Sequence, residues 1–304
     1  RQALALGPDD LSNYLALAHA YERLRQWDDA AATYQAALAR QDDANTRLYL
    51  GLVRVQQGQL DAAVAEIKQA LALNPQDALA HASLGDVYLQ QGKLDAAADA
   101  YRQAISADDQ ALYHLSLAAV YARQGKTDAA IAAYRDALAR DGQNAAAYAG
   151  LGDLYSQTGQ LDEAAAAYRQ AVTLTADNPA TQAALAYVEY KRCQVTSAVQ
   201  AAQAAARLAP KVSFYQGALA SFYEAQGQKQ AAAAIYAALQ AAPAADAYAH
   251  LLAGDYFWRT AMTETAVSEL QAATANSTSP LFQSLAYAGL GQIYAANPQA
   301  SAAA

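Results

Sequence analysis

The sequence holds one cysteine, Cys193, one methionine, two tryptophans and four phenylalanines in 304 residues. A single cysteine forms no internal disulfide, and no metal-ligand spacing can be built around it. Charge is sparse as well: 16% of residues are charged and the net charge is -8. That acidic balance opposes nucleic-acid binding, which calls for a basic face. No apolar run approaches the roughly 18–20 residues of a membrane span, so no direct membrane insertion is expected. At 55% hydrophobic residues the chain is too apolar for disorder. No G-x-x-x-x-G-K-S/T loop that would cradle a phosphate is present. The chain begins at Arg1, inside a stretch that reads as helix, and is expected to be the interior of a longer protein. A leader or anchor upstream lies outside this sequence, so localisation does not follow from it.

What is present is periodic. Leu-Gly or Leu-Ala pairs recur at Leu17-Ala18, Leu50-Gly51, Leu84-Gly85, Leu117-Ala118, Leu151-Gly152, Leu185-Ala186, Leu219-Ala220 and Leu290-Gly291, with Ala253-Gly254 in the same series. The step is 33 or 34 residues until the last, which is 37. Three residues past most pairs stands an aromatic: Tyr21, Tyr88, Tyr121, Tyr155, Tyr223, Phe257, Tyr294. A turn glycine follows at Gly58, Gly92, Gly125, Gly159 and Gly227. An alanine comes five residues later, then a large residue such as Tyr101, Tyr134, Tyr168 or Tyr236. A fixed period of this length marks a stack of supersecondary units.

In this combination the residues resemble the tetratricopeptide repeat family over nearly the whole chain. The proline that this family places at the end of the second helix is supplied by Asn74-Pro75 and Ala209-Pro210. The resemblance implies an all-α fold, a right-handed α-solenoid of helix-turn-helix repeats. The expected organisation is the end of a preceding repeat at residues 1–10, with its helix at Arg1–Gly7. Eight repeats would follow at 11–43, 44–77, 78–110, 111–144, 145–178, 179–212, 213–246 and 247–283. A lone helix from Ser284 to Ala296, with a tail, would occupy 284–304.

The pattern has physical sense. Apolar residues at three- and four-residue spacing make two amphipathic helices per unit. Small residues such as Gly85, Gly152 and Gly291 mark close helix approaches, and tyrosines fill the space beside them. Asp61, Asp95, Asp128 and Asp162 open second helices, where a carboxylate meets the positive end of the dipole. No unit buries its apolar face alone, so neighbours must stack. The rhythm breaks at Arg54, at Glu189 (both in place of an aromatic), at Cys193 in place of a turn glycine, and at Ala275–Pro280.

Residues that invite a chemical reading have simpler ones. His81, His114 and His250 occupy the position held elsewhere by Tyr14, Tyr148 and Tyr287, which gives them an aromatic packing role. The aspartates recur once per repeat and lack the close alternation of a calcium loop. Cys193 reads as a small buried residue. Accordingly no catalytic residue, metal or cofactor is expected, and the chain reads as no enzyme.

In the resembled family, certain first-helix positions face a concave groove. Here they include His19 and Glu22 early, Asp86 and Asp153 in the middle, and Tyr187, Tyr190, Phe214, Glu224, Tyr248, Asp255, Trp258 and Arg259 late. Aromatics rimmed by charge resemble a binding hot spot. The partner-binding groove is therefore expected at Tyr187, Tyr190, Phe214, Tyr248, Asp255, Trp258 and Arg259. The Lys/Asn/Arg cluster with which some family members hold a terminal carboxylate is absent, since Leu15 and His19 stand where its first members would be. The expected function is a scaffold or adaptor holding a segment of another protein. Two alternatives stay open: a structural subunit of a larger, filamentous or membrane-associated assembly, and the repeat arm of a longer multidomain protein. The oligomeric state does not follow from the sequence.

Overall fold

The computed structural model of the chain describes residues 11–241 and 246–297; the helix expected at Arg1–Gly7 lies outside them. Among the described residues every element is an α-helix and none is a strand. First and second helices alternate: α1 (Leu11–Arg23) and α2 (Trp27–Leu38), α3 (Ala44–Gln56) and α4 (Leu60–Leu73), α5 (Ala78–Gln90) and α6 (Leu94–Ala107). The series continues with α7 (Ala111–Arg123) and α8 (Thr127–Arg140), α9 (Ala145–Gln157) and α10 (Leu161–Leu174), α11 (Pro179–Lys191) and α12 (Val195–Leu208). It ends with α13 (Ser213–Ala225) and α14 (Lys229–Ala241), α15 (Ala247–Arg259) and α16 (Thr263–Ala275), and α17 (Pro280–Ala296) alone. The last helix starts one turn before the expected Ser284, because Pro280 sits at its first position, where a fixed φ favours the helix and no N–H is needed.

The two helix types start differently. Several first helices carry a side-chain cap: Asp43 accepts from the Thr46 amide at 2.8 Å, Asp77 from Ala80 at 3.0 Å and Asp246 from Ala249 at 2.7 Å. Second helices such as α4, α6 and α10 have no such cap, and an acid in the first turn faces their positive end instead, whereas α12 and α14 start without one. Those acids also hold the next repeat. The residue after the following first helix reaches back to them: Gln57 Nε2 donates to Asp28 at 2.6 Å, and Gln91 to Asp61 and Gln124 to Asp95 at 2.9 Å each. Arg192 donates to Asp162 at 2.7 Å.

The turn inside each pair needs a left-handed residue. Five glycines supply it with φ of 71–82°. Three turns use Arg25, Cys193 and Ala261 at 56°, 60° and 65°, a conformation that costs an L-residue about 1–2 kcal/mol. Cys193 thus takes the backbone role of the glycine, but its side chain is exposed. The expectation of a buried cysteine is corrected: the turn projects that side chain away from the helices.

Packing divides the chain into Arg1–Gly150 and Leu151–Ala304, the division falling within α9. In the first unit successive helices pack on one another from α1 through to α8, and in the second from α10 through to α17. First helices also touch one another, α3 with α5 in the first unit, and α11 with α13, α13 with α15 and α15 with α17 in the second. The core is a series of local clusters. One joins Ala18, Ala30, Tyr34, Leu50 and Val53; another joins Phe257, Leu270, Ala286, Leu290 and Ile293. This is the nearest-neighbour arrangement expected of stacked repeats.

Glycines permit the close approaches within pairs. A Cβ at Gly85 would lie 2.9 Å from the Tyr101 ring, and one at Gly152 2.7 Å from the Tyr168 ring. Gly291 differs, since a Cβ there meets nothing within 4 Å. The close approach expected at Gly291 is therefore absent among the described residues, because no second helix is paired with α17.

Candidate partner-binding face

The second-helix tyrosines that pack against these small residues carry polar ends into the first helices. Tyr168 donates to Asp153 at 2.5 Å, Tyr34 to Glu22 at 2.8 Å, and Tyr101 to Asp86. Tyr236 makes a longer contact of 3.4 Å to Glu224. A buried phenol needs an acceptor, and a carboxylate on the facing helix provides one. Burial, reinforced by the neighbouring carboxylate, raises the pKa of Tyr34, Tyr101 and Tyr168 well above the ordinary tyrosine value. Four acids at expected groove positions, Glu22, Asp86, Asp153 and Glu224, are therefore engaged within the repeat.

The late charges are paired too. Arg259 donates to Asp255 at 2.9 Å and to both oxygens of Glu224 at 3.1 and 3.2 Å. Burial opposes the Arg259 charge, but hydrogen bonds to Glu224 and Asp255 outweigh it and hold the pKa above the ordinary arginine value. Asp255 and Arg259 form an ion cluster with each other, and neither is an unengaged charge.

The aromatic residues form two groups. Phe214, Tyr248 and Phe282 lie on three successive first helices with centroid separations of 6.1 and 5.9 Å. Phe214 is 53% exposed. Tyr190, 42% exposed, leans on Phe222 at 5.1 Å, and Lys191 lies 5.4 Å from the centre of the half-exposed Tyr187 ring. Trp258 is half-buried against the cluster of Phe257 and Leu270. Phe222 and Phe282 are additions to the expected set. Phe282 was legible in the proline two residues before it, a helix-start signal that places residue 282 inside α17.

Elsewhere the histidines do more than pack. His114, buried, lies 2.6 Å from Asp109, which Arg140 also clasps at 2.6 and 2.7 Å. His250 lies 2.8 Å from the buried Glu269, and His81 donates to the Pro75 carbonyl at 2.9 Å. At the same position Tyr14 instead carries Arg40 over its ring at 4.3 Å. Glu189 replaces an aromatic and is 1% exposed, yet it is satisfied: Arg192 donates to it at 2.8 Å and Arg169 donates from the previous repeat. A cleft of about 290 Å³ opens above it, lined by Arg169, Gln182, Leu185, Ser197 and Gln200.

A sequence profile described as tetratricopeptide repeat matches residues 15–65, 48–111 and 115–179, more than half of the chain. The chain belongs to the tetratricopeptide repeat family. Solved structures agree on the fold. A tetratricopeptide repeat protein from Parabacteroides merdae is similar at TM-score 0.59 and 19% identity, over 81% of this chain and 98% of that one. PilF of Pseudomonas aeruginosa is similar at TM-score 0.56 and 20% identity, over 65% and 90%. YrrB, described as a tetratricopeptide protein with an unusual peptide-binding site, is similar at TM-score 0.52 and 18% identity, over 61% and 97%. No curated protein sequence matches the chain. Within this tetratricopeptide chain, the tyrosine-on-glycine contacts are the packing that the repeat pattern encodes. Glu189 and Cys193 depart from that pattern.

Proposed function

We propose that this chain is a non-catalytic scaffold that binds a segment of another protein on the first-helix face of Leu151–Ala304. The observation that carries the reading is the row Phe214, Tyr248 and Phe282, with Tyr187 and Tyr190 on the neighbouring helix α11. Phe214, Tyr187 and Tyr190 are exposed and Tyr248 and Phe282 half-buried, and aromatic rings held on helices offer apolar area at low conformational cost, the chemistry of interface anchors. The acids around them are already paired with Tyr236 or Arg259, so the partner is selected by shape and apolar contact more than by charge. Tetratricopeptide repeats are in general interaction scaffolds, and the peptide-binding site described for YrrB makes a peptide-like segment the natural occupant.

The test is site-specific photo-crosslinking in the native host. A crosslinking side chain at Phe214 or Tyr187 should trap a discrete partner, and one at the exposed Gln170 of second helix α10 should not. Adducts arising only from Gln170 would overturn the proposal.

A further inference from the structure

We propose that the cleft above Glu189 is a binding site for a phenol ring, filled by a tyrosine side chain of a partner protein. None of its lining residues belongs to the aromatic row on the first-helix face, so the two sites stand or fall separately.

The walls of the cleft match the surroundings of a tyrosine elsewhere in the chain. Arg169, Leu185 and Ala201 line it. Each stands three repeats on from a residue around Tyr88, namely Lys68, Leu84 and Ala100. Leu84 and Ala100 share a cluster with Tyr88, and Lys68 Nζ lies 5.9 Å from the centre of its ring. At the register position of Tyr88 the cleft has Glu189. Arg169 and Arg192 hold its buried carboxylate at the base of the space, and the outer part of the ring's place is left open. The volume, about 290 Å³, is at the lower limit for ligand sites, which suits one side chain and not a cofactor.

The next repeat shows what a hydroxyl does here. Gln203 takes the place of Arg169 and Tyr223 that of Glu189, and Gln203 Nε2 donates to the Tyr223 hydroxyl at 2.6 Å. The second-helix residue at this position therefore engages a tyrosine by its ring, as Lys68 does, or by its hydroxyl, as Gln203 does. Arg169 is equipped for both. A guanidinium stacks on an aromatic face, and its five N–H donors allow one to stay on Glu189 while another reaches the phenol oxygen. Arg169 is half-exposed and lies where it can shift to admit a ring from outside. Leu185 and Ala201 supply apolar walls, while Ser197 and Gln200 add polar groups for the peptide on either side of the tyrosine. Gln170 is turned away from the cleft. Its register equivalent Gln69 accepts from Arg47 of its own repeat's first helix, whereas Arg169 reaches forward to the next repeat.

The experiment is methyl NMR of the 304-residue chain with labelled leucines, titrated with p-cresol and with N-acetyl-L-tyrosinamide. Both should shift the Leu185 methyl signals saturably, with dissociation constants on the order of 1 mM for ligands of this size. Glu189→Tyr fills the cleft with the chain's own ring and should abolish the shifts. Arg169→Ala, at a half-exposed site, should keep the fold and weaken binding about tenfold, the loss of a charge-assisted hydrogen bond. No saturable shift at Leu185, or one that Glu189→Tyr leaves in place, overturns the proposal. Binding of p-cresol alone would replace the partner's tyrosine with a free phenol, and equal binding of N-acetyl-L-phenylalaninamide would remove the hydroxyl from the account. These readings are made at Leu185 and do not depend on any partner being trapped at Phe214.

Discussion

Two repeats of the same fold fill their interiors by opposite means. In α5 and α6, Gly85 admits the Tyr101 ring, Tyr88 occupies the aromatic slot and Gly92 makes the turn. In α11 and α12, the corresponding residues are Ala186, Ala202, Glu189 and Cys193. The first pair is held by a ring on a glycine. The second is held by smaller helix contacts and by a buried carboxylate between Arg169 and Arg192. The contrast teaches that the repeat demands a filled volume and satisfied polar groups, and that more than one residue set meets the demand.

The sharpest way to break this comparison is to strip the charges around Glu189. Arg169→Ala with Arg192→Ala leaves a buried carboxylate without its cations, and a loss of about 3 kcal/mol is expected. This is the low end of the range because Arg169 is itself half-exposed. Glu189→Tyr restores the ring used elsewhere and should be neutral or stabilising. Urea denaturation of the three proteins decides it, and equal midpoints would remove the ion cluster from the account.

Overpacking the ring-on-glycine contact comes next. Gly85→Leu or Gly152→Leu forces carbons into the tyrosine ring and should cost on the order of 1–3 kcal/mol. The same measurement on Ala186→Leu should give a smaller loss, since Ala202 leaves more room.

The two regions also differ at one register position on the first-helix face, where α5 carries the exposed Leu79 and α13 carries Phe214. Phe214→Ala should weaken partner binding about 30-fold, near 2 kcal/mol, and Leu79→Ala should change it little. Calorimetry with the crosslinked partner, once isolated, compares them directly. Phe214 serves better than Trp258 here, because Trp258 also packs on the core and its removal would mix stability with binding.

Smaller again is the turn. Cys193→Gly relieves a left-handed cysteine and should stabilise by about 1 kcal/mol, whereas Gly92→Ala introduces the same strain and should destabilise by a similar amount. Thermal melts read both signs.

The smallest effect is electrostatic. Hydrogen bonds from Arg140 and then His114 lower the Asp109 pKa from 3.8 to about 2. A depressed folded-state pKa contributes stability above the unfolded value, and that stability is lost as pH falls from near 3.8 through 2. Asp109→Asn should flatten this part of the acid-denaturation profile and leave the rest unchanged. No change in the profile would mean the contact is screened away by water.

Much of this protein was legible in its sequence. The 33- to 34-residue period, the alternation of small and large residues and the turn glycines determined an all-helical stack, because each feature is local and each repeat restates it. Local reasoning could also place Phe214 and Tyr248 on first helices. Contacts between elements were decided only by tertiary structure. The residues at Glu22, Asp86 and Asp153 looked like unengaged charges in a groove, yet each accepts a hydroxyl from a tyrosine 12 or 15 residues away. Asp61, Asp95 and Asp162 looked like helix-start residues and also anchor the next repeat through a glutamine or arginine about 30 residues on. Glu189 looked like a break in the pattern and is a buried, doubly paired carboxylate. Periodicity assigns a residue to a face. Only the packed neighbours decide whether its polar atoms are already spent within the fold or left for a partner.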